Sequence, residues 1–202
     1  MMSKPENISA IIMAGGNSSR MKFPKPWLNY SKNQSFLQRI IEQYQKAEVS
    51  HIIVILNRRY MSPDWKGKLE SVKTQATLVP NAEVHRGRLF SLQLGLNKTL
   101  QSEYVFIHNV DNPYVQLDTL IDLKNKKVKK GVTLPEFNKK NGHPIIISRD
   151  VQDDLIAEKG QDVILRELLK KYNRKQVKTK DQHVLTNLNT PEDYWRARRE
   201  FA

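Results

Sequence analysis

Residues 9–25 read SAIIMAGGNSSRMKFPK, and the order of residue types in this stretch sets the architecture to look for. The first six residues are a short apolar run that stops at a glycine pair, the pattern of a buried strand. Behind it come Ala14, Gly15, Gly16, Asn17, Ser18 and Ser19, small or polar, closed by Arg20. Small residues let a backbone approach a ligand closely, and successive N–H groups in such a loop can form an anion-binding nest. Arg20 offers a rigid fork for phosphate oxygens, and Lys25 a second, mobile charge. Taken alone, the same residues also describe an ordinary strand-to-helix turn. Two other phosphate loops are excluded. A Walker A loop ends in Gly-Lys-Ser/Thr, where this chain has Ser19-Arg20-Met21, and a dinucleotide fingerprint needs G-x-G-x-x-G, where only Gly15-Gly16 stand.

Working outward, apolar runs alternate with helical spacing. Strands are expected at 51–56 (HIIVIL), 76–79, 103–108 (EYVFIH), 131–134, 144–148 and 184–188. Helices are expected at 35–48, with Ser35 as N-cap, and at 63–73, 89–100 (weakened by Gly95), 117–124, 150–158, 161–172 and 191–201. This alternation predicts an α/β fold: one Rossmann-like, mainly parallel sheet with helices on both faces, the whole of 1–202 forming a single domain. Ligands in such sheets bind beyond the carboxyl ends of the strands, so the residues after the strands carry the information. Asn109-Val110-Asp111-Asn112-Pro113 is one such place. A carboxylate there can hold a hard cation, and magnesium needs only one or two protein oxygens because phosphate and water supply the rest. An Asx-Pro turn is the other reading of the same five residues.

Composition narrows the class. The chain has 34 Lys and Arg against 21 Asp and Glu, a net +13 that favours polyanionic partners such as nucleotides and phosphorylated metabolites. The basic clusters at 124–130 and 170–180 read as solvated helix ends or loops. With no cysteine, thiolate metal sites, disulfides and cysteine nucleophiles are excluded. No run approaches the ~18 to 20 apolar residues of a membrane span. The polar start Met1-Met2-Ser3-Lys4 has no apolar leader, so a cytoplasmic protein is expected.

The segment from Met13 to Lys25, MAGGNSSRMKFPK, resembles the L-A-[AG]-G-x-S-x-R-M-G-x-x-K signature of the molybdenum-cofactor nucleotidyltransferases, the cytidylyl- and guanylyltransferases. One departure is notable: Lys22 stands where the family has glycine. The resemblance implies a nucleotide-diphospho-sugar-transferase-like fold. It also implies a triphosphate held by the loop residues Ala14, Gly15, Gly16, Asn17, Ser18, Ser19, Arg20 and Lys25. Asp111 falls in the family's D-x-P metal tripeptide, and Asn189, in NLNTPED, falls where relatives present a second metal oxygen; helix capping is its other expected role. Asn81, Gly87 and Ser91 reproduce the N-x5-G-x3-S-L spacing beside the base and ribose. Gly142-His143-Pro144 matches a G-H-P near the acceptor site, and the downstream G-D-x-G-x-R-x-L-L pattern survives only as Gly160, Asp162 and Arg166 with its leucines.

The implied reaction is attack by an acceptor phosphate oxygen on the α-phosphorus of a nucleoside triphosphate, with Mg²⁺ and release of pyrophosphate. An ionised phosphate needs no general base, so catalysis is positioning and charge neutralisation by Arg20, Lys25 and Asp111. The expected acceptor is molybdopterin, bound near His143, with a sugar or alcohol phosphate as the alternative. CTP is expected slightly ahead of GTP, from the segment containing Asn81 and Ser91 and from Gly142-His143-Pro144. The rival class is a basic nucleic-acid-binding protein, but no RNP, zinc-finger or K-homology motif supports it, so nucleic acid is not the expected partner. The oligomeric state is left open.

Overall fold

The computed structural model describes residues 7–160 and 163–201. The N-terminal residues 1–6, the start of the helix expected from Gln161, and Asp162 lie outside the described residues.

The opening run forms β1 (Ile8–Ala14), followed by a small hairpin of β2 (Asn29–Ser31) and β3 (Gln34–Ser35). Next come α1 (Phe36–Lys46), β4 (His51–Asn57), α2 (Lys66–Lys73), β5 (Thr77–Asn81), α3 (Gly87–Leu96) and β6 (Tyr104–Asn109). The second half holds α4 (Leu117–Lys126), β7 (Val132–Phe137), β8 (Lys140–Asn141), β9 (Ile145–Ser148) and α5 (Arg149–Ala157). It closes with α6 (Leu165–Leu168), β10 (Arg174–Lys178) and α7 (Pro191–Phe201). The sheet runs β10-β7-β9-β6-β1-β4-β5, with β8 paired to β7. β5, β4, β1 and β6 are mutually parallel, while β9 runs antiparallel between β6 and β7. The sheet is mixed and mostly parallel.

Period-two alternation sends side chains to both faces. Ala10, Ile12, Ile52, Val54 and Phe106 pack with Phe36, Ile40 and Leu120 of α1 and α4. Ile11, Ile53, Ile55, Val105 and Ile107 pack on the other face with Leu89, Leu92 and Val151 of α3 and α5. Each fully buried side chain of this size contributes about 1.5 to 3 kcal/mol. Gly95, the weak point in the helical pattern, is where α3 touches the sheet: a Cβ there would stand 2.8 Å from Ile11 Cγ2 and 3.1 Å from Ile55 Cδ1. Ser35 caps α1 as expected, in a reciprocal box with Gln38.

Two expectations are corrected. Residues 184–188 form no strand; Gln182–Leu185 is a 3₁₀ turn. Their backbone groups are spent elsewhere, for Val184 O accepts from His143 N (2.9 Å) and Leu188 N donates to Asp111 O (2.8 Å). The edge strand is β10 instead, inside the basic cluster; among its residues only Val177 is buried, so it carried no apolar signal. Charged residues on a sheet edge also guard it against pairing with other chains. The helix expected to run to Tyr172 is a single turn, α6, followed by the 3₁₀ turn Leu169–Lys171. Only Leu165 is buried there, too little apolar face to hold a longer helix.

Candidate functional site

The carboxyl ends of β1 and β6 open onto one cleft of about 350 Å³. The loop after β1 is shaped by two residues in the left-handed region, Ser18 (φ 51°) and Lys22 (φ 57°). Lys22 N closes the bend on Ser18 O (3.1 Å), and Lys25 N on Ser18 Oγ (3.3 Å). Lys22 therefore holds, at a cost, a backbone conformation suited to the glycine of the signature. The 3₁₀ turn Lys25–Trp27 then buries Trp27 against Tyr60 and Trp65, at ring distances of 6.5 and 6.3 Å, which pins the end of the loop.

Lys25 points back into the cleft. Its Nζ lies 3.3 Å from Asp111 Oδ2 and donates to Asn189 Oδ1 at 2.9 Å. Arg20 donates to the same Asn189 oxygen at 3.3 Å. Asp111 Oδ1 is buried and, among the described residues, has no hydrogen-bond partner. These two side chains thus offer hard oxygens converging on a positive charge, with one carboxylate oxygen left over. Among the described residues no cluster of three or more His, Cys, Asp or Glu could hold a metal ion. The donor set fits a cation of the magnesium type, which takes few protein ligands, and does not fit a closed structural site.

Long-range contacts hold this pair in place. Asn112 donates to His183 O (3.1 Å), and its own carbonyl bonds His108 Nε2 (2.8 Å), whose Nδ1 meets Tyr44 OH (2.9 Å). Burial holds His108 down to about 4, so the ring is neutral near pH 7 and spans the two bonds as donor and acceptor. On the Asn189 side, Thr190 and Asp193 cap α7 reciprocally: Asp193 N donates to Thr190 Oγ1 (3.2 Å) and Thr190 N to Asp193 Oδ2 (3.0 Å). Asn189 is released from the capping role and turns into the cleft.

Ala14, Gly15, Gly16, Ser18 and Ser19 line the same cleft, as do Gly87 and Ser91. Three expected residues do not. Asn17 faces the other side of the loop, where its Oδ1 accepts from Asn57 Nδ2 (3.1 Å). Asn81 is fully buried and donates to Ser91 Oγ (2.9 Å), while its Oδ1 accepts from Glu83 N (2.8 Å). His143 belongs to a neighbouring cleft of about 630 Å³. Burial, with help from the Arg88 charge and against the pull of Asp111, holds His143 down to about 4. Its turn is crowded: a Cβ on Gly142 would lie 2.5 Å from Val184 O, so glycine is required there.

Arg88 was not singled out in the sequence. It follows Gly87 inside the N-x5-G-x3-S-L pattern, whose variable positions carry no signal of their own. Its guanidinium donates to Asn109 Oδ1, and it lines both clefts.

A protein-family model described as a MobA-like NTP transferase domain matches residues 10–177. The chain belongs to this family. The matched span of this NTP transferase domain begins in β1 and ends in β10, so it takes in the glycine loop and Asp111 but not Asn189. A probable molybdenum cofactor guanylyltransferase of Peptoclostridium acidaminophilum is 33% identical over 118 residues, 57% of this chain and 47% of that protein. The match therefore spans about half the length of that relative. Among solved structures, a Methanothermobacter nucleotidyl transferase superposes with TM-score 0.78 at 20% identity, covering 96% of this chain and 97% of that one. A Mycobacterium tuberculosis protein solved in complex with manganese gives 0.74 at 18% identity, covering 95% and 97%. At these identities both show a shared fold, the nucleotide-diphospho-sugar-transferase type. Among the described residues no helix is long and apolar enough to cross a membrane.

Proposed function

We propose that this NTP transferase domain, a single unit over 1–202, moves a nucleoside monophosphate from a triphosphate to the phosphate of molybdopterin. The observation that carries the reading is the Lys25 ammonium held between Asp111 Oδ2 and Asn189 Oδ1 at the open end of the glycine loop. A cation already sits on the two oxygens that would bind Mg²⁺, and Asp111 Oδ1 has no hydrogen-bond partner among the described residues. When bound, Mg²⁺ supplies positive charge to the phosphate oxygens.

The chain's own residues do the rest. Gly15 and Gly16 leave the loop backbone open to the triphosphate, and a Cβ on Gly16 would meet no protein atom within 4 Å. Arg20 and Lys25 neutralise the pyrophosphate as charge gathers on it. An acceptor phosphate oxygen forms the new bond to the α-phosphorus, the bond from that phosphorus to the bridging oxygen breaks, and pyrophosphate leaves with the electron pair. His143, neutral at physiological pH, lines the acceptor cleft and does not act as a cation there.

GTP is the favoured donor in this proposal. The pyrimidine expectation rested on the segment from Asn81 to Leu92 and on Gly142-His143-Pro144; Asn81 is fully buried and bonded to Ser91 and Glu83 N, and His143 lines the neighbouring cleft. The similar Peptoclostridium protein is, moreover, named a guanylyltransferase. The test is pyrophosphate release with Mg²⁺, molybdopterin and each of GTP, CTP, ATP and UTP. The expected result is fastest turnover with GTP. Preference for CTP would overturn the base assignment, and no release with any triphosphate would overturn the reaction.

A further inference from the structure

Among the described residues, Arg88 is the single one that the nucleotide cleft and the neighbouring 630 Å³ cleft share. It is the second residue of α3, directly after Gly87, whose φ of 84° turns the chain into the helix. From there its side chain reaches Asn109 Oδ1 at the end of β6, two residues before Asp111. Among the described residues the guanidinium meets this amide oxygen and no carboxylate in an ion pair. A guanidinium carries five N–H donors in a planar fork, so a single amide oxygen leaves most of them unused. Burial opposes the cation and the Asp111 charge favours it, so the guanidinium is anchored with N–H donors left to receive an anion.

On one side of Arg88 lie the glycine loop, Lys25 and Asp111. On the other, the cleft is lined by the apolar Ile107, Leu134 and Ile145 together with His143, Arg166 and Arg174. An acceptor seated in this second cleft would leave its phosphate at the mouth, beside Arg88.

We infer that Arg88 is the acceptor-phosphate receptor, holding the nucleophile at the junction of the two clefts. This rests on the transferase reading above, whose own residues do not include Arg88. The guanidinium fork fixes the phosphate on two oxygens and leaves the third directed at the triphosphate.

The experiment compares wild type, Arg88→Ala and Arg88→Lys in two arms. The first measures steady-state transfer, varying GTP and molybdopterin separately. The second measures molybdopterin binding by calorimetry with no nucleotide present. The expected result is a KM for molybdopterin raised ~10 to 100-fold in Arg88→Ala, as for loss of a charge-assisted bidentate contact. A matching loss in the binding arm, a KM for GTP changed by less than ~3-fold, and partial recovery in Arg88→Lys complete the pattern. Unchanged acceptor KM and affinity in a folded Arg88→Ala would overturn the inference. Equal loss for GTP and molybdopterin would also overturn it, because it would place Arg88 on the triphosphate. A wild type that binds molybdopterin but transfers nothing would overturn the transferase reading alone, and the binding arm would still decide Arg88.

Discussion

Lys25 Nζ lies 3.3 Å from Asp111 Oδ2, an ion pair between residues 86 apart in the chain whose side chains are only 12% and 22% exposed. A partly desolvated pair of this kind costs free energy to bury, and that cost is recovered when a polyanion and a cation enter together. The pair joins the loop after β1 to the loop after β6, the two places that the carboxyl-end rule selects.

Asp111→Asn separates charge from shape. The amide keeps the size of the side chain, while the anion that faces Lys25 and would bind the metal is lost. Mg²⁺-dependent pyrophosphate release is expected to fall at least ~10² to 10³-fold, the scale of losing a preorganised electrostatic group. Stability is expected to change by about 1 to 2 kcal/mol, because Lys25 loses its ion-pair partner but keeps Asn189. Chemical denaturation alongside the activity assay checks both, and full activity in the variant would remove Asp111 from the mechanism.

Arg20→Ala and Lys25→Ala test the loop. Each removes a donor to Asn189 and a charge facing the triphosphate. A loss of ~10 to 100-fold in kcat/KM for the triphosphate is expected in each, the range for one or two charge-assisted hydrogen bonds. If both variants kept wild-type kcat/KM, the triphosphate would have to bind elsewhere.

Lys22 stands at φ 57°, a region that costs a side-chain-bearing residue about 1 to 2 kcal/mol. Lys22→Gly restores the signature glycine and relieves that strain, offset in part by the greater freedom of glycine in the unfolded chain. A net gain of about 0.5 to 1 kcal/mol is expected, a rise in Tm of roughly 1 to 4 °C for a domain of this size. Calorimetry decides it: a lower Tm in the variant would mean that the lysine side chain more than compensates for its backbone.

His108 makes stability pH-dependent. Its folded value of about 4 lies below the ordinary 6.5, so the folded state binds fewer protons than the unfolded chain between those limits. Its contribution is complete above pH 6.5 and is lost as pH falls towards 4. About 2 kcal/mol should be gone by pH 5 from this one residue. His143 acts in the same direction, from its own value of about 4. Urea unfolding at pH 7 and pH 5 should show the loss, and His108→Gln should remove roughly half of it. A variant with the full wild-type pH dependence would show that His108 takes up its proton equally in the folded and unfolded chain.

The sequence by itself determined the order of strands and helices through the middle of the chain, because buried β-branched runs and leucine periodicity are local signals of tertiary burial. It also marked out the glycine loop and Asp111, which line one cleft, because each directly follows an apolar strand run in the sequence. Only the tertiary structure decided the rest. β10 is an edge strand with a single buried residue, so nothing in RKQVK separates it from a solvated loop. The 184–188 segment, apolar enough for a strand, spends its backbone on the His143 turn and on Asp111, partners distant in sequence. Asn189 could cap a helix or face the cleft, and the Thr190–Asp193 box settled which. Asn81 matched a spacing yet bonds inward to Ser91, while Arg88 matched none and lies between two clefts. The physical reason is common to all of these: spacing fixes which residues follow one another, but the direction of a side chain depends on which distant partner satisfies its hydrogen bonds.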